Sequence, residues 1–252
     1  MIYKIFRLFL IFTLLGTISI VEVCKAQEFN PQPLLDSVKH KFNKVNDYNA
    51  DIKIKVNVTF IKIPAKEGKL YFKKPDKIKL VSKGFAMLPK RGMNFTFTEL
   101  FEKKYNAIYI KNEIINKINT YVIKIIPLDD SADILLASIW IDRKSQNIIK
   151  IDAVSKSSGN FVTLFDYPSK ANPFDLPSQL TFTFEVTKAT LPMGVTGDFG
   201  GEKPKVKDNK PQKATLSISY SNYMVNKGIA DSFFKEDKLT ALREIALRMT
   251  AE

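Results

Sequence analysis

The chain of 252 residues carries 39 lysines and arginines against 26 aspartates and glutamates, a formal net charge of +13, and is 45% hydrophobic and 12% aromatic. That apolar content excludes a disordered tail, and the length admits one large domain or two small ones. A single histidine and a single cysteine leave no material for a Ser-His-Asp triad, a zinc cluster or a disulfide framework.

Residues 1–26 read as a secretory signal peptide. Lys4 and Arg7 precede an uncharged run from Leu8 to Val21, and Cys24 and Ala26 supply the small side chains that signal peptidase accepts. The run is short for a membrane anchor, no stop-transfer charge cluster follows it, and Val23 stands where lipidation of Cys24 would want a small residue. The expectation is therefore a soluble exported protein, cleaved after Ala26. Cleavage removes the only cysteine, so the mature domain over 27–252 has to hold by packing alone. Most of its cations are lysines, whereas forked phosphate recognition favours arginine. No nucleic-acid partner is expected, and an anionic membrane surface is the charged partner the composition allows.

In the mature chain, Leu34, Leu35, Val38, Phe42 and Val45 fall at helical spacing, with Asp36, Lys39, His40, Lys41 and Lys44 opposite them, so Pro33 to Asn46 predicts an amphipathic helix. His40 lies on the polar side without a metal-spaced partner and is assigned no role. The period then changes to two. In "ADIKIKVNVTFIKI" Ala50, Ile52, Ile54, Val56, Val58 and Phe60 alternate with Asp51, Lys53, Lys55, Asn57 and Thr59, a long antiparallel strand with one wet face. The stretch "GKLYFKKPDKIKL" keeps that parity through Leu70, Phe72, Ile78 and Leu80 and turns at Lys74-Pro75-Asp76, a hairpin. From Lys83 to Lys104 the pattern breaks into an apolar loop and a short helix.

Strand signals resume at "AIYI", "TYVIKIIP", "ILLASIWID", "NIIKIDAVS", "FVTLFDY", "LTFTFEV" and "ATLSISYSNY", mostly separated by short turns such as Asn116-Lys117, the mark of an up-and-down meander. Leu191 to Pro211, rich in Gly, Pro and Lys, reads as a mobile excursion, and Lys235 to Ala251 as a second amphipathic helix. Nothing divides the mature chain into two domains. The acids Asp129, Asp130, Asp142 and Asp175 sit in turns, where local hydrogen bonding is their usual work, and there is no P-loop, so neither an enzyme nor a cofactor is expected. A sheet of roughly ten antiparallel strands has to curl, giving an open or closed barrel with an apolar concave face. Two outcomes stay open: helices that fill that face as a plain core, or helices that act as a removable lid over an apolar cavity suited to acyl chains.

The N-terminal helix, the long alternating strand and "GKLYFKKPDKIKL", followed in order by "YVIKIIPLD", "SIWIDRKSQNIIKIDAVSKSSGNFVTLFDY" and "YSNYMVNKGIADSFF", together resemble the LolA-like outer-membrane lipoprotein-sorting proteins. The resemblance implies a mainly β fold, an unclosed half-barrel of curved antiparallel strands with helices over its concave face. It implies a periplasmic carrier of lipoprotein acyl chains or lipids, monomeric, exchanging cargo with inner- and outer-membrane transfer proteins. Carried over residue by residue, the hydrophobic cavity would be lined by Ile54, Val56, Val58, Leu70, Phe72, Ile78 and Leu80. Phe95, Phe97, Leu100 and Phe101 would form its lid or rim. Where the best-known carriers place a lid-latching arginine on an early strand, this sequence offers Lys53, Lys55 or Lys73. A sensor or scaffold of the same fold, and a binder of another apolar ligand such as a glycolipid, are the alternatives.

Overall fold

The structure, a computed structural model, describes residues 29–58, 61–62, 64–82, 100–101, 104–156, 159–168, 173–186 and 212–234. The signal-peptide reading, most of the apolar loop with Phe95 and Phe97, the Leu191 to Pro211 excursion and the C-terminal helix fall outside the described residues.

Helix α1 spans Gln32–Asn43. Its start follows from local chemistry: the Asn30 side chain accepts the Gln32 N–H at 3.0 Å, and Pro33 sits in the first turn, where its missing N–H leaves no bond unmade. The last turn carries His40 and Lys41, and the Lys41 cation is placed favourably against the carbonyl end of the helix dipole. Leu34, Leu35 and Val38 are buried, each contributing about 1.5–3 kcal/mol of transfer free energy.

Among the described residues eleven strands follow: β1 (Asp47–Val58), β2 (Ile61–Lys62), β3 (Lys66–Lys73), β4 (Lys77–Val81), β5 (Tyr105–Ile115), β6 (Ile118–Pro127), β7 (Ile134–Asp142), β8 (Ile148–Ser155), β9 (Gly159–Asp166), β10 (Gln179–Val186) and β11 (Gln212–Val225). A 3-10 turn closes the described chain at Asp231–Phe234. All the strands lie in one antiparallel sheet of order β4-β3-β1-β11-β10-β9-β8-β7-β6-β5, with short β2 pairing to β1. The meander from β5 to β11 is the one the sequence predicts. The sheet is not closed into a barrel, and its opening lies between β4 and β5, neighbours in sequence that sit at its two ends. It is the unclosed half-barrel that the resemblance implies.

Two connections show how sequence fixes register. Asn116 and Lys117 both have positive φ, 49° and 68°, and link the paired Ile115 and Ile118, so this two-residue loop has the twist that a hairpin requires. Lys74, Pro75 and Asp76 connect Lys73 to its partner Lys77, with the Lys74–Pro75 peptide cis. Gly68 is needed for a different reason: a Cβ there would stand 2.8 Å from the Val81 carbonyl oxygen and 2.9 Å from Ser82 Cβ, so only glycine lets the end of β4 pass this close.

The main core lies between α1 and the inner face of β6 to β9. Leu34, Leu35 and Val38 pack there with Ile123, Ile125, Ile139, Ile141, Phe161 and Phe165. Leu100 and Phe101 are buried in the same cluster. A second cluster on the inner face of the other half gathers Ile52, Ile54, Leu70, Phe182 and Ile218.

Candidate functional site

Leu180 and Phe184 pack against both clusters and join them along the sheet. Between the C-terminal half of α1 and the inner face of β1, β3, β4, β10 and β11 lies a cavity of about 160 Å³. Val38, Phe42 and Val45 form its helical side, and Leu70, Phe72, Ile78, Leu180, Phe182 and Ile218 its floor. Helix α1 thus packs on the sheet over β6 to β9 and lies across a space that extends from Ile148 and Phe165 toward β1, β3 and β4.

Tyrosines supply one end of this space. Tyr48 packs against Phe72 at 5.2 Å between ring centroids and against Tyr223 at 5.5 Å, and Tyr220 stacks on Tyr223 at 5.8 Å with the planes 12° apart. Tyr48, Tyr167 and Tyr220 line the cavity. Burial pushes the hydroxyls of Tyr48, Tyr167, Tyr220 and Tyr223 well above the usual phenol range, so all four stay protonated donors at neutral pH. Tyr167 donates to the Ile148 carbonyl at 3.0 Å and Tyr223 to the Pro177 carbonyl at 2.8 Å.

Lys41, on the polar side of α1, closes the space at one edge. Its ammonium pairs with Asp175 at 2.9 Å and donates to Asn147 Oδ1 at 2.9 Å and to the Ser145 carbonyl. The helix is thereby tied to the β7–β8 turn and to the segment between β9 and β10. That turn is itself built by Asp142, whose carboxylate accepts from Lys144 N–H at 3.0 Å and from Ser145 N–H at 3.2 Å. Burial raises the Asp142 pKa, but the bonds from Ser145 and Lys144 outweigh it and leave the group below its usual value.

Neither a protein-family model nor a curated protein matches this sequence. Solved structures do. A LolA superfamily protein from Nitrosomonas europaea superposes with a TM-score of 0.52 at 10% identity, over 83% of this chain and 99% of that one. The chain has the LolA fold. An outer membrane lipoprotein-sorting protein domain from Vibrio parahaemolyticus matches with a TM-score of 0.50 at 12% identity, over 83% of this chain and 99% of that one. A DUF1329 family protein from Desulfovibrio piger gives 0.52 at 12% identity, over 84% and 100%.

Within this LolA fold, Leu70, Phe72 and Ile78 line the cavity. Ile54, Val56 and Leu80 pack in the adjoining cluster on the same face, and Val58 packs with Ala214 at its margin. Leu100 and Phe101 lie in the main core, where Phe101 meets Phe42 at 6.3 Å. Lys53, Lys55 and Lys73 alternate with these inner-face residues and so project from the outer face. Lys53 pairs there with Glu67 at 2.8 Å and Lys73 with Asp231 at 2.5 Å. The cations lining the cavity are instead Lys41 and Lys74, of which Lys41 ties α1 across the edge. Periodicity could not find Lys41, because it assigns that residue only to the polar side of a helix. The phase of Phe182 was legible in its strand; that β10 lies beside β11, and β11 beside β1, was not.

Proposed function

We propose that this protein is a non-enzymatic periplasmic carrier that shelters acyl chains, of lipoproteins or of lipids, in the cavity beneath α1. The observation that carries the reading is the cavity itself: an apolar space of about 160 Å³ under one helix, in a fold shared with a lipoprotein-sorting domain. An engineered apolar cavity of about 150 Å³ takes up benzene, so the space admits a short length of chain as it stands. A whole chain requires the C-terminal half of α1 to rise, while its N-terminal half stays fixed by Leu34 and Leu35. Each methylene buried contributes about 0.8 kcal/mol, so several together offset that displacement. Release then needs only an acceptor that holds the chains more tightly.

Residues 1–26 support export, and the cavity-lining set expected from the sequence contributes Leu70, Phe72 and Ile78 to the wall. Native mass spectrometry of the protein purified without detergent from its own cell envelope tests the reading. An acylated protein or a free lipid released on denaturation is expected. A protein that is empty, and stays empty after incubation with acylated peptides and lipids, refutes it.

A further inference from the structure

Among the described residues, the cavity wall holds two hydroxyls that make no hydrogen bond to the protein. Tyr167 and Tyr223 spend their hydroxyls on the carbonyls of Ile148 and Pro177. Tyr48 and Tyr220, both lining the cavity, contribute ring contacts but no hydroxyl hydrogen bond there. Both side chains are only half-buried and neither hydroxyl is sealed from solvent, so each can exchange water for an acceptor on a ligand, whereas a phenylalanine would offer the same ring contacts without that donor. The stacking of Phe72, Tyr48, Tyr223 and Tyr220 fixes both rings in advance, the preorganisation a binding group needs.

We propose that Tyr48 and Tyr220 are an anchor for the neutral carbonyl of an acyl ester or amide, setting how deep a bound chain sits. This rests on the carrier reading and names the chemistry of its ligand. Two arguments favour a carbonyl over a carboxylate or phosphate. The cations at the cavity are engaged, Lys41 by Asp175 and Asn147 and Lys74 by the Asn43 carbonyl at 3.0 Å. Asp175, which also lines the space, repels an anion. A neutral acceptor on an apolar chain meets two protonated donors without bringing in a charge to be desolvated. Ester carbonyls occur both in diacylated lipoproteins and in glycerophospholipids, so the anchor chemistry is common to the two sources.

The test compares the full mature protein with Tyr48→Phe, Tyr220→Phe and the double variant, all of which keep the ring packing. The probes are a synthetic dipalmitoylated lipopeptide and dipalmitoylphosphatidylglycerol, each with ¹³C at the ester carbonyls, and pyrene as a probe without any acceptor. On the wild type, infrared difference spectra are expected to show the labelled carbonyl band of the better-bound acyl probe at lower wavenumber, as hydrogen bonding requires. Which probe that is identifies the source. Each Tyr→Phe change weakens its binding about 5-fold and the double variant abolishes the band shift, while pyrene binding is unchanged. An unshifted carbonyl in the wild type, or a shift that survives in the double variant, overturns the anchor and leaves the carrier reading standing. Failure of both acyl probes and of pyrene to bind overturns both.

Discussion

Leu35 and Phe72 both belong to the inner side of this sheet, yet they do different things. Leu35 is fully buried in the main core, so Leu35→Ala removes methyl groups that have no solvent-exposed alternative and leaves a void. The expected loss is about 2–5 kcal/mol, read as a fall in the urea midpoint at constant m-value. Phe72 is half-buried and faces the cavity. Phe72→Asp places a carboxylate without a paired cation where the chain would lie, and is expected to eliminate pyrene binding with the native circular dichroism preserved. Binding retained by a folded Phe72→Asp protein would show that the cavity is not the site. Asp231 illustrates a third kind of residue. Hydrogen bonds from Lys73 and Lys77 lower its pKa from 3.8 to about 2. A depressed carboxylate pKa means that its contribution is complete above pH 4 and is lost as pH falls through about 2. The Phe233 ring packs on Tyr71 at 4.6 Å, so its proton resonances report the docking. They are expected to move toward unstructured values between about pH 4 and 2, and to be displaced already at neutral pH in Asp231→Asn.

At the scale of elements, the hairpin β3–β4 answers why so many lysines alternate with its apolar side chains. Three of its outer-face lysines receive the end of the described chain: Lys73 and Lys77 hold Asp231, Lys73 donates to the Ile229 carbonyl at 2.7 Å, and Lys79 lies over the Phe233 ring at 4.5 Å. Helix α1 is held in a comparable way at its C-terminal half, by Lys41. Lys41→Met keeps the aliphatic stem and removes a charged network, which at about 1.5–3 kcal/mol for hydrogen bonds to charged groups lowers hydrogen-exchange protection of residues 38–43 by about 10- to 100-fold. Protection in β6 to β9 is expected to stay as it was, because Leu34 and Leu35 remain packed there. Equal loss in both regions would mean that α1 and the sheet open as one unit. β5, the last strand of the sheet among the described residues, is guarded differently: the register shifts between Tyr109 and Lys111, and a bulge there with Lys104, Lys111 and Lys117 discourages another strand from pairing.

For the whole molecule, a net charge of +13 invites the idea of a basic face resting on an anionic membrane. The outer face is less cationic than the composition suggests. Lys53 is paired with Glu67, Lys69 with Asp51 at 3.3 Å, and Lys73 and Lys77 with Asp231. Association with anionic vesicles is therefore expected to be weak and to fall away as ionic strength rises from about 0.05 to 0.5 M, where the screening length shortens to a few ångströms. Co-sedimentation that does not respond to salt would point to insertion of apolar surface instead.

The sequence by itself determined the faces of α1 and of the described strands in which apolar and polar residues alternate, because helical and strand periodicities are local properties of the chain. The strand read in "ILLASIWID" is β7 as found, the Asn116-Lys117 turn lies where it was expected, and Leu70, Phe72, Ile78 and Leu80 share one face as their spacing demands. Local chemistry could not say where the meander stops. Only the tertiary structure pairs β1 with β11, nearly the whole domain away in sequence, and leaves the gap between β4 and β5. That choice brings Tyr48 of β1 beside Tyr220 and Tyr223 of β11, and lays Phe182 and Ile218 on the floor with Leu70. It also decides that α1 packs on the sheet over β6 to β9 and lies across a space toward β1, β3 and β4. The reason is physical: periodicity fixes which side of a strand is apolar, whereas a cavity depends on how far apart two apolar surfaces are held.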